Sequence, residues 1–162
     1  KANALVARGA LGNIVLPETM MNLSGKAVSA FVPAGGGSAS GGKSKKRVLK
    51  NLLVIHDDLD LPLGTIKMVF ARGSGGHKGV ESVMRAIKTQ DFARIRIGIS
   101  APGKKKKEKK VQGDDKVIKQ VIGKWKPSEE AVIKKVFKRV VETVRLYATS
   151  GIDSATQFAN TR

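Results

Sequence analysis

Two apolar segments of unlike pattern constrain this chain more than anything else in it. Leu52-Leu53-Val54-Ile55 is an unbroken apolar run, as expected of a strand covered on both faces. In Phe92 to Ile99, Ile95, Ile97 and Ile99 alternate with Arg94, Arg96 and Gly98, a period of two that sends both arginines to one side of a strand. Between these segments lie a second strand candidate, Thr65 to Phe70, and a short helix, Gly79 to Lys88, with Val80, Val83, Met84 and Ile87 on one side. Upstream, Ile14 to Pro17 reads as the end of a strand, and Met20 to Ala30 has helical spacing after Thr19 as a cap. Downstream, Asp114 to Gly123 reads as a short helix. Pro127-Ser128-Glu129-Glu130 opens the longest one, which runs to about Thr149 with Gly151 as its cap. Strands alternating with helices predict an α/β fold in one domain over 1–162, with flexible Gly-, Ser- and Lys-rich loops at 33–47 and 102–115.

A chain of 162 residues with 41% hydrophobic content is long and apolar enough to bury a core. No apolar run reaches the ~18 residues of a membrane span, and no charged-then-apolar leader argues for secretion. The absence of cysteine excludes disulfides and thiolate chemistry. The net charge of +18 calls for a polyanionic partner, nucleic acid ahead of a membrane surface. Only 4% of residues are aromatic, so phosphate contact rather than base stacking is the expected mode.

Three segments carry candidate chemistry. His56-Asp57-Asp58-Leu59-Asp60-Leu61-Pro62-Leu63-Gly64 places carboxylates just past a buried strand, where open α/β sheets hold ligands. Asp57 suits the task of orienting and charge-stabilising a histidine base, whereas Asp58 and Asp60 read as turn residues capping backbone amides. Gly73-Ser74-Gly75-Gly76-His77-Lys78-Gly79 is a glycine-rich turn before a helix, where backbone amides hold anions and His77 either caps the helix or acts on a ligand. It lacks the order of a nucleotide-binding loop. Asn22, in Met21-Asn22-Leu23-Ser24-Gly25, either caps a helix or donates its amide to an oxyanion or a substrate carbonyl. His56, Asp57 and His77 lack regular ligand spacing, so neither a metal nor a cofactor is expected; a metal-dependent hydrolase using His56 and His77 is the minor alternative.

These segments follow one another in the order Pro17 to Val28, Leu53 to Gly64, Gly73 to Gly79 and Arg94-Ile95-Arg96-Ile97-Gly98-Ile99, with Val121-Ile122-Gly123-Lys124-Trp125 and Ala155 to Asn160 behind them. As an ordered set over about residues 14–160 they resemble the bacterial-type peptidyl-tRNA hydrolases. The resemblance implies a three-layer α/β sandwich with a mixed, twisted sheet. It also implies metal-free hydrolysis of the ester joining a peptide to the 3′ ribose of tRNA. By the same resemblance Asp57 holds the base histidine, Asn22 binds the reacting ester, and Arg96 belongs to a basic clamp on the tRNA 5′ phosphate; Arg94 is a further contact candidate from its place on the same strand face.

The chain departs from the family pattern at three points. Residues 1–13 match neither the family's Gly-Leu-Gly-Asn-Pro-Gly turn nor the Arg-His-Asn segment that supplies the base, so the first central strand and the base are expected to be absent here. Lys78 stands where the family has Asn after the histidine of the glycine-rich turn, which adds charge for RNA. The clamp lysine falls at Val69, and Lys67, two residues earlier and on the same strand face, is its substitute. The leading expectation is a peptidyl-tRNA hydrolase with Asp57, Asn22 and His77 as catalytic candidates and Asn22, Lys67, Lys78, Arg94 and Arg96 as tRNA contacts. The alternative is a non-catalytic RNA-binding relative in a ribosome or splicing complex. Low-complexity stretches and high charge favour the mitochondrion, with the cytoplasm as the alternative location.

Overall fold

A computed structural model describes residues 3–32, 49–100 and 125–161. The loops expected at 33–47 and 102–115, the lysine run at 104–110 and the helix expected over 114–123 lie outside the described residues. In chain order the elements are β1 (Ala4–Gly9), β2 (Gly12–Pro17), a 3₁₀ turn (Met21–Leu23), α1 (Ser24–Ser29), β3 (Leu49–Pro62), β4 (Ile66–Phe70), α2 (Lys78–Ile87), β5 (Phe92–Ser100), α3 (Pro127–Ser150) and α4 (Ile152–Asn160). β1 and β2 form an antiparallel hairpin, and a second sheet has the order β3-β5-β4. Bonds from Leu49 N–H to Asp91 O and from Leu63 N–H to Ser100 O run β5 parallel to β3. Bonds from Gly98 N–H to Thr65 O and from Ala71 N–H to Phe92 O run it antiparallel to β4. The sheet is mixed and the fold α/β, as expected.

The chain divides into two compact units, Lys1–Val54 with Phe70–Ala93, and Ile55–Val69 with Arg94–Arg162. In the first, α2 turns Val80, Val83 and Ile87 inward; Val83, Ile87 and Phe92 form a core on which Val28, Val32, Leu49, Leu52, Val54 and Met84 pack. α1 lies directly on α2 because Gly25 has no side chain. A Cβ there would fall 2.1 Å from the Ser82 carbonyl oxygen, and the Gly25 N–H donates to Ser82 Oγ at 3.0 Å.

In the second unit, α3 opens on Pro127 with Glu129 and Glu130 in its first turn, and the Lys126 N–H donates to Glu129 Oε2 at 2.8 Å. Gly151, at φ +85°, breaks α3 from α4. Arg139 of α3 donates to the carbonyl oxygens of Phe158, Ala159 and Thr161 at the end of α4, and lies 6.0 Å from the Phe158 ring centroid. Gly98 of β5 is pressed against β3, where a Cβ would meet the Pro62 carbonyl oxygen at 2.1 Å.

The side chain of Asn160 acts as a strand neighbour for the edge of β4. Its Oδ1 accepts from Met68 N–H at 2.9 Å and its Nδ2 donates to Met68 O at 3.1 Å. Asn160→Ala removes both bonds, so stability should fall by about 1–2 kcal/mol. Hydrogen exchange at the Met68 amide should accelerate in step; an unchanged exchange rate would contradict this role.

Several expectations need correction. β3 does not end at Ile55: it runs to Pro62 and carries Asp57, Asp58 and Asp60 inside the strand rather than beyond it. Polar side chains can extend this strand because β5 supplies partners for them, as described below. Its apolar run is also less covered than expected, with Leu52, Leu53 and Val54 half-buried and Ile55 45% exposed. Thr19 does not cap a helix starting at Met20; its Oγ1 is buried without a hydrogen-bond partner, and a 3₁₀ turn precedes α1 instead. Ile14–Pro17 is part of β2, the second arm of a hairpin whose first arm, β1, went unforeseen, as did α4.

Candidate functional site

In the first unit, the 3₁₀ turn carrying Asn22 packs against the head of α2. Gly79 is the close point, where a Cβ would come within 2.9 Å of Met21 Cγ and 3.0 Å of His77 Cε1. The glycine-rich turn before α2 uses positive φ at Gly75 (+66°) and Gly76 (+87°), and Ser74 closes it by accepting from Gly76 N–H through Oγ at 3.1 Å while donating to Glu81 Oε1 at 3.0 Å. His77 is the N-cap: its Nδ1 accepts from the Val80 N–H at 3.1 Å. A neutral imidazole that accepts at Nδ1 carries its proton at Nε2, so in this arrangement His77 is a donor at Nε2 and not a base. Asn22 and Lys78 are exposed and His77 is half-buried. The turn and helix head therefore gather a carboxamide, an imidazole N–H and an ammonium in one unit.

In the second unit, β3 and β5 face each other in two successive rungs. His56 Nδ1 donates to the carbonyl oxygen of Asp57 at 2.7 Å, which leaves Nε2 to accept from Arg94 Nη1 at 3.3 Å. One rung on, Arg96 Nε donates to Asp58 Oδ2, and Asp58 Oδ1 accepts from the Asp60 N–H at 2.8 Å. The i, i+2 spacing of His56 and Asp58 matches that of Arg94 and Arg96, which is why strand geometry pairs them. Arg94 is only 2% exposed; burial, then the like charge of Arg96, holds its guanidinium pKa below the ordinary value, with Asp58 opposing. The constant register between β4 and β5 sets Lys67 opposite Arg96 on the same face, while Ile66, Met68 and Ile95 on the other face are buried.

The structure thus joins Arg94, Arg96 and Lys67 on one polar face, and Asn22, His77 and Lys78 in the other unit. Asp57 is half-buried on β3, between the two rungs in sequence. Sequence reasoning missed Asp58 as the partner of Arg96 and His56 as the partner of Arg94; the matched spacings were the available signal. Both ring nitrogens of His56 bond to protein atoms, which removes support from a metal role for it. Among the described residues, no three His, Cys, Asp or Glu side chains form a group able to hold a metal ion, and no helix is long and apolar enough to cross a membrane.

The sequence model of the peptidyl-tRNA hydrolase family matches residues 1–162. A peptidyl-tRNA hydrolase of Trichodesmium erythraeum is 36% identical over 149 residues, covering 92% of this chain and 62% of that protein. The chloroplastic peptidyl-tRNA hydrolase of Arabidopsis thaliana is 32% identical over 98% of this chain and 50% of its own length. The crystal structure of peptidyl-tRNA hydrolase from Acinetobacter baumannii superposes with a TM-score of 0.74 at 26% identity, covering 98% of this chain and 73% of that one. The chain spans less than two thirds of the length of the Trichodesmium protein and about half that of the Arabidopsis one. The family model spans the chain, its fold superposes on that crystal structure, and the chain belongs to the peptidyl-tRNA hydrolase family.

Proposed function

We propose that this chain hydrolyses the ester between a peptide and the 3′ ribose of tRNA, returning free tRNA to translation. The observation that carries the reading is the packing of the Asn22 turn onto the head of α2, which gathers hydrogen-bond donors beside a glycine-rich turn. In the proposed reaction water adds to the ester carbonyl and its proton passes to a histidine base of the kind the family carries in its Arg-His-Asn segment, which residues 1–13 do not supply. The tetrahedral intermediate then collapses, with the ribose 3′ oxygen leaving and taking that proton. The Asn22 carboxamide donates to the oxyanion, His77 donates through Nε2 to the bound substrate, and Asp57 orients the base. Lys67, Lys78 and Arg96 contact tRNA phosphates, with buried Arg94 adding field rather than a direct contact. No step needs a metal or a cofactor.

Release of an N-acetylated amino acid from its tRNA by this chain is the test. Asn22→Ala should lower kcat about 10²-fold, the loss typical of one oxyanion donor, with a smaller change in KM. Unaltered turnover in that variant would remove Asn22 from the mechanism. A second reading, a non-catalytic RNA-binding relative docked on a ribosome or splicing complex, is favoured by exposed Lys78 at the first position of α2. It predicts salt-sensitive tRNA binding with no release. The proposal places the protein in an organelle, the mitochondrion first and the cytoplasm as the alternative, on the strength of its +18 charge and low-complexity stretches. Imaging of a fluorescent fusion of the natural gene product tests that placement.

A further inference from the structure

The glycine-rich turn before α2 is not held by packing. Among the described residues no atom lies within 4 Å of the place a Cβ would take at Gly73, Gly75 or Gly76, and the last two adopt positive φ. Glycine gives up more conformational freedom on folding than any other residue, so such a turn keeps one shape only where hydrogen bonds impose it. In this turn the bonds close into a ring. The His77 N–H donates to Ser74 O at 3.3 Å, and the Gly76 N–H donates to Ser74 Oγ at 3.1 Å. The Ser74 hydroxyl in turn donates to Glu81 Oε1 at 3.0 Å, and the Glu81 N–H donates back to His77 O at 3.0 Å.

Ordinary helix-start chemistry does not account for the reach of Glu81. With His77 as the N-cap, a capping-box acid would stand at Val80 and turn back to the backbone of the cap itself. Glu81 is one residue further on, and its carboxylate passes the cap to a half-buried serine seven residues upstream. The consequence falls on His77. Its Nδ1 accepts from the Val80 N–H while its backbone keeps the extended N-cap conformation, at φ −72° and ψ 110°. Ser74 fixes that conformation from the turn side and Glu81 from the helix side. We infer that Glu81, acting through Ser74, is a positioning residue that keeps the glycine turn in the shape in which His77 caps α2 and carries its proton at Nε2. The inference rests on the proposed donation from His77 to the substrate and names the pair that holds the donor.

The first readout is the tautomer of His77, which does not depend on turnover. Long-range 15N–1H spectra distinguish the two imidazole tautomers, and the chain has only two histidines. His56 is an internal reference, because its Nδ1 donates to the Asp57 carbonyl and it therefore holds the opposite tautomer. At pH about 8.5, above the ordinary imidazole range, the wild type should show His77 protonated at Nε2 and His56 at Nδ1. Glu81→Ala and Ser74→Ala should each move His77 toward a mixture of tautomers and leave His56 unchanged. Glu81→Gln, whose amide oxygen still accepts from Ser74, should restore the wild-type pattern. The kcat for release of the N-acetylated amino acid should fall about tenfold in either alanine variant and no further in the double variant, with KM changed by less than about twofold. An unchanged His77 pattern in E81A and S74A overturns the inference, as does a double variant whose kcat loss is the product of the single losses. If Glu81→Ala disturbs His56 as well, and so the fold, Ser74→Ala decides alone, since it removes a single hydroxyl. No turnover in the wild type would discard the proposed reaction, while the ring spectra would still decide whether Glu81 holds His77.

Discussion

Gly25→Ala should lower the melting temperature by roughly 6–12 °C. The added Cβ would fall 2.1 Å from the Ser82 carbonyl oxygen, 2.6 Å from the Ser82 carbonyl carbon and 2.8 Å from Ala86 Cβ. Two of those atoms are helix backbone, so no rotamer change relieves the overlap. α1 and α2 must separate, which also stretches the 3.0 Å bond from Gly25 N–H to Ser82 Oγ. Overpacking of this kind costs about 1–3 kcal/mol or more, and the loss of a buried bond adds about 1 kcal/mol. The better helix propensity of alanine returns at most about 1 kcal/mol, leaving a net loss near 3 kcal/mol. Thermal melting followed by circular dichroism measures it, with Ser82→Ala as the comparison that removes the bond but not the space. Equal small effects from both substitutions would mean that the hydrogen bond, not the close approach, is what the pair of helices needs.

That close approach also bears on function. Asn22 stands two residues before Ser24, the first residue of α1, and its turn packs on the head of α2 together with His77 and Lys78. Separating α1 from α2 therefore disturbs the placement of the Asn22 carboxamide. Activity in Gly25→Ala should fall even at temperatures where the chain remains folded.

The elements that were legible in the sequence are those in which burial and periodicity agree. In α2, Val80, Val83 and Ile87 are spaced at three and four residues and all three are buried. In β5, alternation announced a strand and put Arg94 and Arg96 on one side, where both meet β3. β3 was read too short because the cue was apolar content, and its second half is polar. His56 and Asp58 stay in the strand because their partners lie 38 positions away in the sequence, a distance that no local pattern reports. The β1–β2 hairpin escaped notice for a related reason. Leu5, Ile14 and Leu16 are 57%, 70% and 61% exposed, and with Val6 and Val15 beside them no alternation of apolar and polar residues marks either arm. α4 is short and follows Gly151, which looks like an end; its last carbonyls are met by Arg139, from another helix, and by Thr161 just past it. At the site, residue types were readable, but the capping role of His77 and the pairing of Asp58 with Arg96 depend on geometry.

Asp57→Asn should reduce kcat for peptidyl-tRNA hydrolysis by about 10²–10⁴-fold while the affinity for tRNA stays within a few-fold. Asp57 lies within β3, and its backbone carbonyl accepts from His56 Nδ1 at 2.7 Å. A carboxylate beside a histidine base does two things that an amide cannot. It accepts the ring N–H that fixes the reactive tautomer, and its charge stabilises the imidazolium formed when the base takes a proton from water. Asparagine can present its NH₂ instead, which selects the opposite tautomer and leaves the ring charge uncompensated. Because the substitution is nearly isosteric and lies off the rungs of Arg96 and Lys67 proposed to hold phosphate, binding and chemistry should separate. Single-turnover hydrolysis beside anisotropy binding reads the two independently. A fall in both to the same degree would make Asp57 a structural residue of β3. A fall in neither would remove it from the mechanism and leave His77, with its Nδ1 committed to the Val80 amide, as the next residue to test.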